Sequence, residues 1–271
     1  MNPKDLARQY GFTPQRSAGQ NFLVDPKALQ KIVAAADLRS TDTVLEVGPG
    51  FGVLTEELLK RAGRVVAVEL DKRLVEALRE RFVTKLSIIH GDALKLNDFG
   101  IAGPYKVVAN IPYNITSALI RKFLEAEHPS ELMVLLVQKE VAERVCAKPG
   151  DMSLLSVSVQ YYAKPEIVAT VKAGCFWPAP KVDSAILKIT PFSSPYQGEE
   201  GRGQFFDLVR AGFAAKRKQL RGNLARHYKV SLNTAAGWLR EAGLPPLVRA
   251  EELSVEEWKE LAGQIALSSR L

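Results

Sequence analysis

Short, nearly unbroken apolar runs recur through the first half of the chain, at residues 43–47, 64–70, 86–89, 105–109 and 132–137. Runs of this length fit strands buried on both faces, as a parallel sheet requires. Between and after them apolar residues fall at helical spacing, over 53–62, 71–82, 116–126, 138–147 and 153–162. This alternation predicts a doubly wound α/β domain. Ahead of it, Asp25-Pro26 marks a helix start, with Leu29, Ile32, Val33 and Ala36 on the apolar face. Residues 1–24 show no clear period and are broken by Gly11, Pro14 and Gly19. Two later runs, 167–171 and 183–189, are less uniformly apolar and are expected to pair antiparallel at one sheet edge. Residues 191–203, dense in Pro, Ser and Gly, read as a linker. Beyond it only helical patterns remain, near 204–217, 218–228, 231–242 and 254–267, the last opened by a Ser254/Glu257 capping box. The expected organisation is residues 1–192 as the α/β domain and 193–271 as a small all-helical one.

Composition narrows the class. Of 271 residues, 46% are hydrophobic and 25% charged, which is ordinary globular material. The net charge of +7 favours an anionic partner such as nucleic acid. Cys146 and Cys175 lie far apart, form no C-x-x-C, and fit a reducing cytoplasm. The first residues lack the apolar stretch of a signal peptide, and the longest apolar run, 132–137, is too short to span a membrane. His90, His128 and His227 are scattered without metal-ligand spacing, so no metal is expected. Nothing asks for more than one copy, and a monomer is expected.

Candidate chemistry gathers at the ends of the apolar runs. Thr43-Val-Leu-Glu-Val-Gly-Pro-Gly-Phe-Gly52 places Gly48, Gly50 and Gly52 between a strand and a helix. Such glycines allow close backbone approach, and the helix start offers free N–H groups, so the loop should hold a small ligand with an acidic group. The G-x-G-x-G spacing, shorter than the dinucleotide G-x-G-x-x-G, resembles motif I of class I S-adenosylmethionine (SAM) methyltransferases, although on this loop alone a NAD site stays open. Glu69 ends the second run, where such folds place an acid on ribose hydroxyls. Asp92 follows the third run and is placed to read the edge of an adenine. The plainer alternative for both acids is that they cap helices or solvate turns.

After the fourth run comes Asn110-Ile-Pro-Tyr-Asn114, similar to motif IV of methyltransferases that act on exocyclic amino groups. The adenine N6 lone pair is delocalised into the ring and becomes nucleophilic as the nitrogen pyramidalises. Acceptors at its two N–H groups favour that change: the Asn110 side-chain oxygen and the Ile111 carbonyl, with Pro112 stiffening the turn. Tyr113 offers a face for a flipped base, and Phe176 a second one. Hydrophobic packing remains the alternative for Phe176-Trp177.

Gly19-Gln-Asn-Phe-Leu23, Glu46-Val-Gly-Pro-Gly50, Val68-Glu-Leu-Asp71, Gly91-Asp92, Asn110-to-Asn114, Gln138-Lys-Glu140 and Phe176-Trp-Pro-Ala-Pro-Lys-Val-Asp-Ser184 occur in one order. Together they resemble the ribosomal RNA adenine N6,N6-dimethyltransferases of the KsgA/RsmA/Dim1 family over residues 15–190. The resemblance implies a Rossmann-like SAM-dependent methyltransferase domain and SAM contacts at Asn21, Leu23, Gly48, Glu69, Asp92 and Asn110, and the glycine loop adds Gly50 as a cofactor-binding candidate. It also implies two adjacent target adenosines in a hairpin loop near the 3′ end of 16S rRNA, within the small subunit or its precursor. The helical domain would help to engage the ribosomal particle. Arg210, Lys216, Arg217, Lys218, Arg221, Arg226 and Lys229 form a stretch of seven cations without an acid, the candidate RNA surface. The related large-subunit methyltransferase and a non-catalytic assembly factor are the competing readings.

Overall fold

A computed structural model describes residues 2–15, 19–83, 86–192, 199–215 and 217–268. Its helices are α1 (Pro3–Gln9), α2 (Pro26–Ala35), α3 (Val53–Leu59), α4 (Lys72–Arg81), α5 (Thr116–Leu124), α6 (Lys139–Val145), α7 (Leu154–Gln160), α8 (Glu199–Gly212), α9 (Leu220–Tyr228), α10 (Leu232–Glu241) and α11 (Val255–Ser268). Its strands are β1 (Phe22–Leu23), β2 (Thr43–Val47), β3 (Arg64–Glu69), β4 (Leu86–His90), β5 (Lys106–Asn110), β6 (Leu132–Gln138), β7 (Ala163–Val171), β8 (Phe176–Trp177) and β9 (Ser184–Pro191). Among the described residues no helix is long and apolar enough to cross a membrane.

Seven strands form one sheet in the order β4-β3-β2-β5-β6-β9-β7. The first five of these are mutually parallel, and β9 runs antiparallel to β6, with Gln138 opposite Ser184. The two late runs are neighbours as expected, but β9 is inserted beside β6 and β7 alone forms that edge. The central strands β2, β3, β5 and β6 are almost wholly buried. β4, expected to be buried on both faces, is only partly so because it is the opposite edge. Ala28, Ile32 and Val33 of α2 join the core beneath the sheet with Val134, Leu136 and Ile186. The order of strands reverses between β2 and β5, so the loops leaving their carboxyl ends bound one crevice.

Three expectations change. The unpatterned N-terminus contains α1, whose start is set by Asn2 accepting from the Lys4 amide and by Pro3 in the first turn. Its Leu6 and Ala7 pack with Phe12, Phe22, Phe51 and Leu74, so tertiary packing rather than local period makes this helix. The expected linker 191–203 shrinks: α8 starts at Glu199 and takes in Gly201 and Gly203, while 193–198 lie outside the described residues. Finally, the chain divides into two compact units, 1–143 with 164–191, and 144–163 with 192–271. The helical unit therefore claims α7 as well, through an aromatic cluster of Tyr161 and Tyr162 with Phe205 and Phe206 of α8.

Candidate active site

The crevice at the strand reversal holds a cavity of about 480 Å³, within the usual range for small-molecule sites. Its lining draws on Asn21, Gly48, Gly50, Glu69, Asn110 and Tyr113, together with Ile111 and Pro112. Segments far apart in the sequence, which local pattern alone could not join, thus meet in one place.

The glycine loop behaves differently from the expectation. Gly48, Gly50 and Gly52 all have positive φ, as only glycine readily does. Their amides, however, are committed internally: Gly48 N–H donates to the Val68 carbonyl at 2.9 Å, Gly52 N–H to the Pro49 carbonyl at 2.9 Å, and Gly50 N–H to Glu69 Oε2 at 3.2 Å. No glycine amide of this loop is left for a pyrophosphate, which removes the basis of the NAD reading. The glycines serve fit instead. A Cβ on Gly50 would sit 2.8 Å from Cε1 of Phe22, whose ring lies against the loop.

Glu69 is 7% exposed. Its Oε2 accepts from Gly50 and its Oε1 from the Asp71 amide at 2.9 Å. Burial raises its pKa, while these backbone donors pull it back. A carboxylate has about four lone-pair sites, so acceptor capacity remains for a ligand beside the backbone donors Gly50, Asp71 and Leu70. The two oxygens of one carboxylate match two neighbouring hydroxyls. Glu46, one strand away and 1% exposed, accepts from the Thr55 hydroxyl at 2.6 Å. Burial first, and the nearby Glu69 charge in addition, push its pKa up to about 8.

Asn110 ends β5. Its Nδ2 donates to the Asn21 carbonyl at 3.0 Å, which fixes the amide plane and leaves Oδ1 as the unspent acceptor. Gly19, also with positive φ, lies over the next turn: a Cβ there would stand 3.5 Å from Pro112 and 3.4 Å from Oδ1 of Asn114. The Gly19–Asn21 turn therefore packs on the Asn110–Asn114 loop. The Tyr113 hydroxyl is 2.6 Å from Ser184 Oγ, and burial raises the phenol's pKa.

Other expected residues are placed otherwise. Asp92 does not line the cavity. Its Oδ1 accepts from the Leu94 amide at 2.9 Å. Leu23 is buried in the core, and its strand β1 pairs with β8. Phe176 is 4% exposed and packs in the same core as Leu23 and Ile32. It is not an open stacking face, so it does not form the expected sandwich with Tyr113; the aromatics that line the cavity are Tyr113 and Phe22. Trp177, half-buried, stacks on Phe22 at 6.3 Å between ring centroids.

Sequence reasoning missed the rim. Gln20 Nε2 donates to Asp71 Oδ2 at 3.3 Å, and Arg73 clamps Asp71 with its Nε at 3.0 Å and an Nη at 2.6 Å. That clamp is the first cause of a lowered Asp71 pKa. The Arg73 guanidinium lies 4.4 Å from the centre of the Phe12 ring. Only tertiary structure brings Phe12, Gln20 and Arg73 together. Glu46 was legible as a lone acid in an apolar strand, a signal of a buried partner. In the helical unit, Arg217, Lys218, Arg221 and Arg226 border an open surface hollow of about 530 Å³, joined by Arg249 from a distant turn. Arg210 instead faces Asp207 at 3.8 Å, so the stretch without acids is partly neutralised from one turn upstream. Lys216 lies outside the described residues.

Comparison with known proteins decides the family. A family model described as ribosomal RNA adenine dimethylase matches residues 11–266. The chain belongs to the ribosomal RNA adenine dimethylase family. Within that family, the ribosomal RNA small subunit methyltransferase A of Dehalococcoides mccartyi is 51% identical over 264 residues, covering 95% of this chain and 90% of the relative. The protein of the same name from Clostridium botulinum is 38% identical, covering 97% and 98%. Among solved structures, a dimethyladenosine transferase from Plasmodium falciparum superposes with a TM-score of 0.80 at 29% identity, over 92% of this chain and 98% of that one. The 23S rRNA methyltransferase ErmE gives 0.75 at 31%, over 91% and 100%. The fold is thus the Rossmann-like methyltransferase domain with a helical C-terminal unit, and the chain is a ribosomal RNA adenine dimethyltransferase.

Proposed function

We propose that the chain transfers methyl groups from SAM to N6 of two adjacent adenosines in a hairpin loop near the 3′ end of 16S rRNA. The product is N6,N6-dimethyladenosine, made during small-subunit biogenesis. The observation that carries the reading is Asn110: its amide nitrogen is tied to Asn21, which leaves one oriented acceptor beside a cavity also lined by Glu69, whose two oxygens suit paired hydroxyls. The small-subunit target follows the names of the Dehalococcoides mccartyi and Clostridium botulinum relatives, 51% and 38% identical to the chain.

The cavity fits the cofactor chemically. Glu69 would take the ribose hydroxyls on its remaining acceptor capacity, and Asn21, Gly48 and Gly50 would wall the rest. The bound cofactor would supply an electrophilic methyl on a sulfonium. Asn110 Oδ1 and the Ile111 carbonyl would accept from the N6 amino group, drawing its lone pair out of the ring. The Tyr113 ring would back the extruded base. No strong base is needed, because the N6 proton becomes acidic once the nitrogen carries the new methyl. The bordering cations Arg217, Lys218 and Arg221, together with Arg210 and Lys216, are assigned to RNA phosphates.

Purified protein with labelled SAM should methylate small subunits from a strain lacking the modification, and reverse transcription should stop at two adjacent adenosines near the 3′ end. Label appearing in 23S rRNA instead would select the large-subunit alternative. No transfer to either subunit would select the assembly role.

A further inference from the structure

Tyr113 opens a single 3-10 turn (Tyr113–Ile115) that has no side-chain cap. The hydrogen bond of its phenol is to Ser184, at 2.6 Å. Ser184 contrasts with it in every respect. It is 0% exposed, it lies on an inner strand of the sheet, and the backbone register sets it opposite Gln138. In the otherwise apolar opening of β9, Ser-Ala-Ile-Leu, a buried hydroxyl needs a partner, and Tyr113 provides it.

We propose that Ser184 is the positioning residue for Tyr113, holding the phenol so that the ring presents its face to the target base. The geometry explains what such a bond can do. The phenolic oxygen lies on the axis about which the ring flips, so flipping leaves the bond intact. Swinging the ring about the Cα–Cβ bond carries the oxygen away and breaks it. The bond therefore fixes the ring's place and tilt at the cavity mouth and leaves its spin free. A phenylalanine there would keep the stacking surface and lose the anchor. With Phe176 buried in the core, Tyr113 is the aromatic that the Asn110–Asn114 loop itself brings to the cavity, beside Asn110, so its placement matters for a base held by that loop. This inference rests on the methyltransferase reading above, in which Tyr113 touches the base.

The test is a double-mutant cycle on the single-turnover methylation of small subunits at saturating SAM. Ser184→Ala and Tyr113→Phe should each slow transfer by about tenfold, and the double variant should be no slower than either, since both remove one bond. SAM affinity by calorimetry should stay within about twofold. With 2-aminopurine at the target position, the stacking-induced quench seen with the unmodified protein should weaken equally in all three variants. Multiplying effects, near a hundredfold in the double variant, would overturn the proposal, as would normal transfer by Ser184→Ala. If Ser184→Ala fails to fold, Tyr113→Phe removes the same bond from the accessible side, and normal transfer or quenching by it overturns the proposal equally. Tyr113→Ala separates the two readings. If it methylates normally, the base-stacking role itself fails. If it is inactive while Ser184→Ala is normal, only the anchor fails.

Discussion

Replacing Glu69 by Gln changes a single atom and tests the proposed ribose contact at its source. In the protein, Glu69 Oε1 and Oε2 each accept a backbone N–H, from Asp71 at 2.9 Å and Gly50 at 3.2 Å. A glutamine must turn its NH2 toward one of these donors, so one buried amide is left without its acceptor, and the same NH2 replaces an acceptor offered to the ligand. A hydrogen bond to a charged group contributes about 1.5–3 kcal/mol, so SAM affinity should fall by roughly ten- to hundredfold. The carboxylate itself should reproduce the effect in acid. Burial raises its pKa, so protonation begins at a higher pH than for a free glutamate. Binding needs the ionised form with both oxygens accepting, hence affinity declines as pH falls through the raised pKa. Calorimetric titration of SAM from roughly pH 8 down to pH 5 with both proteins measures this. The wild-type curve should descend toward that of Glu69→Gln, which should be flat. Equal affinities at neutral pH, or a wild-type curve as flat as the variant's, would refute the assignment.

Asn110→Asp keeps an acceptor toward the base but sets a second oxygen against the Asn21 carbonyl; single-turnover methylation should fall by about 10²–10³-fold, a size typical of losing one preorganised polar group. Glu46 has a folded pKa of about 8, above its unfolded value, so the protein should become less stable as pH rises from the ordinary glutamate range to about 8. Glu46→Gln, which can still accept from Thr55, should flatten that decline in denaturant melts across pH. For the basic hollow, replacing Arg217, Lys218, Arg221 and Arg249 by Gln should reduce the slope of log affinity for the particle against log salt by about 0.7–0.9 for each phosphate that is no longer neutralised. Parallel salt lines would mean that these side chains face only water.

The sheet was legible because its central strands are buried on both faces and so carry no alternation to confuse with a helix. Residues 43–47 and 132–137 were read almost to their ends. α1 was invisible for the opposite reason: its apolar residues answer to Phe22, Phe51 and Leu74, far along the chain. In the site, Glu69 and Asn110 sit where strand ends put them, which a pattern of runs and loops predicts. Gly48 and Gly50 were found for the right residue type but the wrong use, since the sequence does not show that a carboxylate and a backbone carbonyl consume their amides. Phe176 failed because motif and burial are different properties. A ring can be characteristic of a motif and still be core, and only its packing with Leu23 and Ile32 reveals which. Arg249 joins the basic hollow from outside the cation-rich stretch, so no count along the chain could include it.

The two-stranded pairing of β1 with β8 sets a timetable for the chain. Phe22 lies opposite Trp177 and Leu23 opposite Phe176, and the Val24 amide donates to the Cys175 carbonyl. The turn that orients Asn110 thus hangs from a strand with no partner until residues 175–177 have been made. Closing so long a loop carries an entropic cost that arrives before its contacts do. On the ribosome, β2 through β6 can emerge and pair locally while the cavity's near wall stays unpinned. Ser184 emerges later still, so the phenol it meets also waits. A nascent chain stalled before Cys175 would lack the pairing that pins Asn21 beside Asn110.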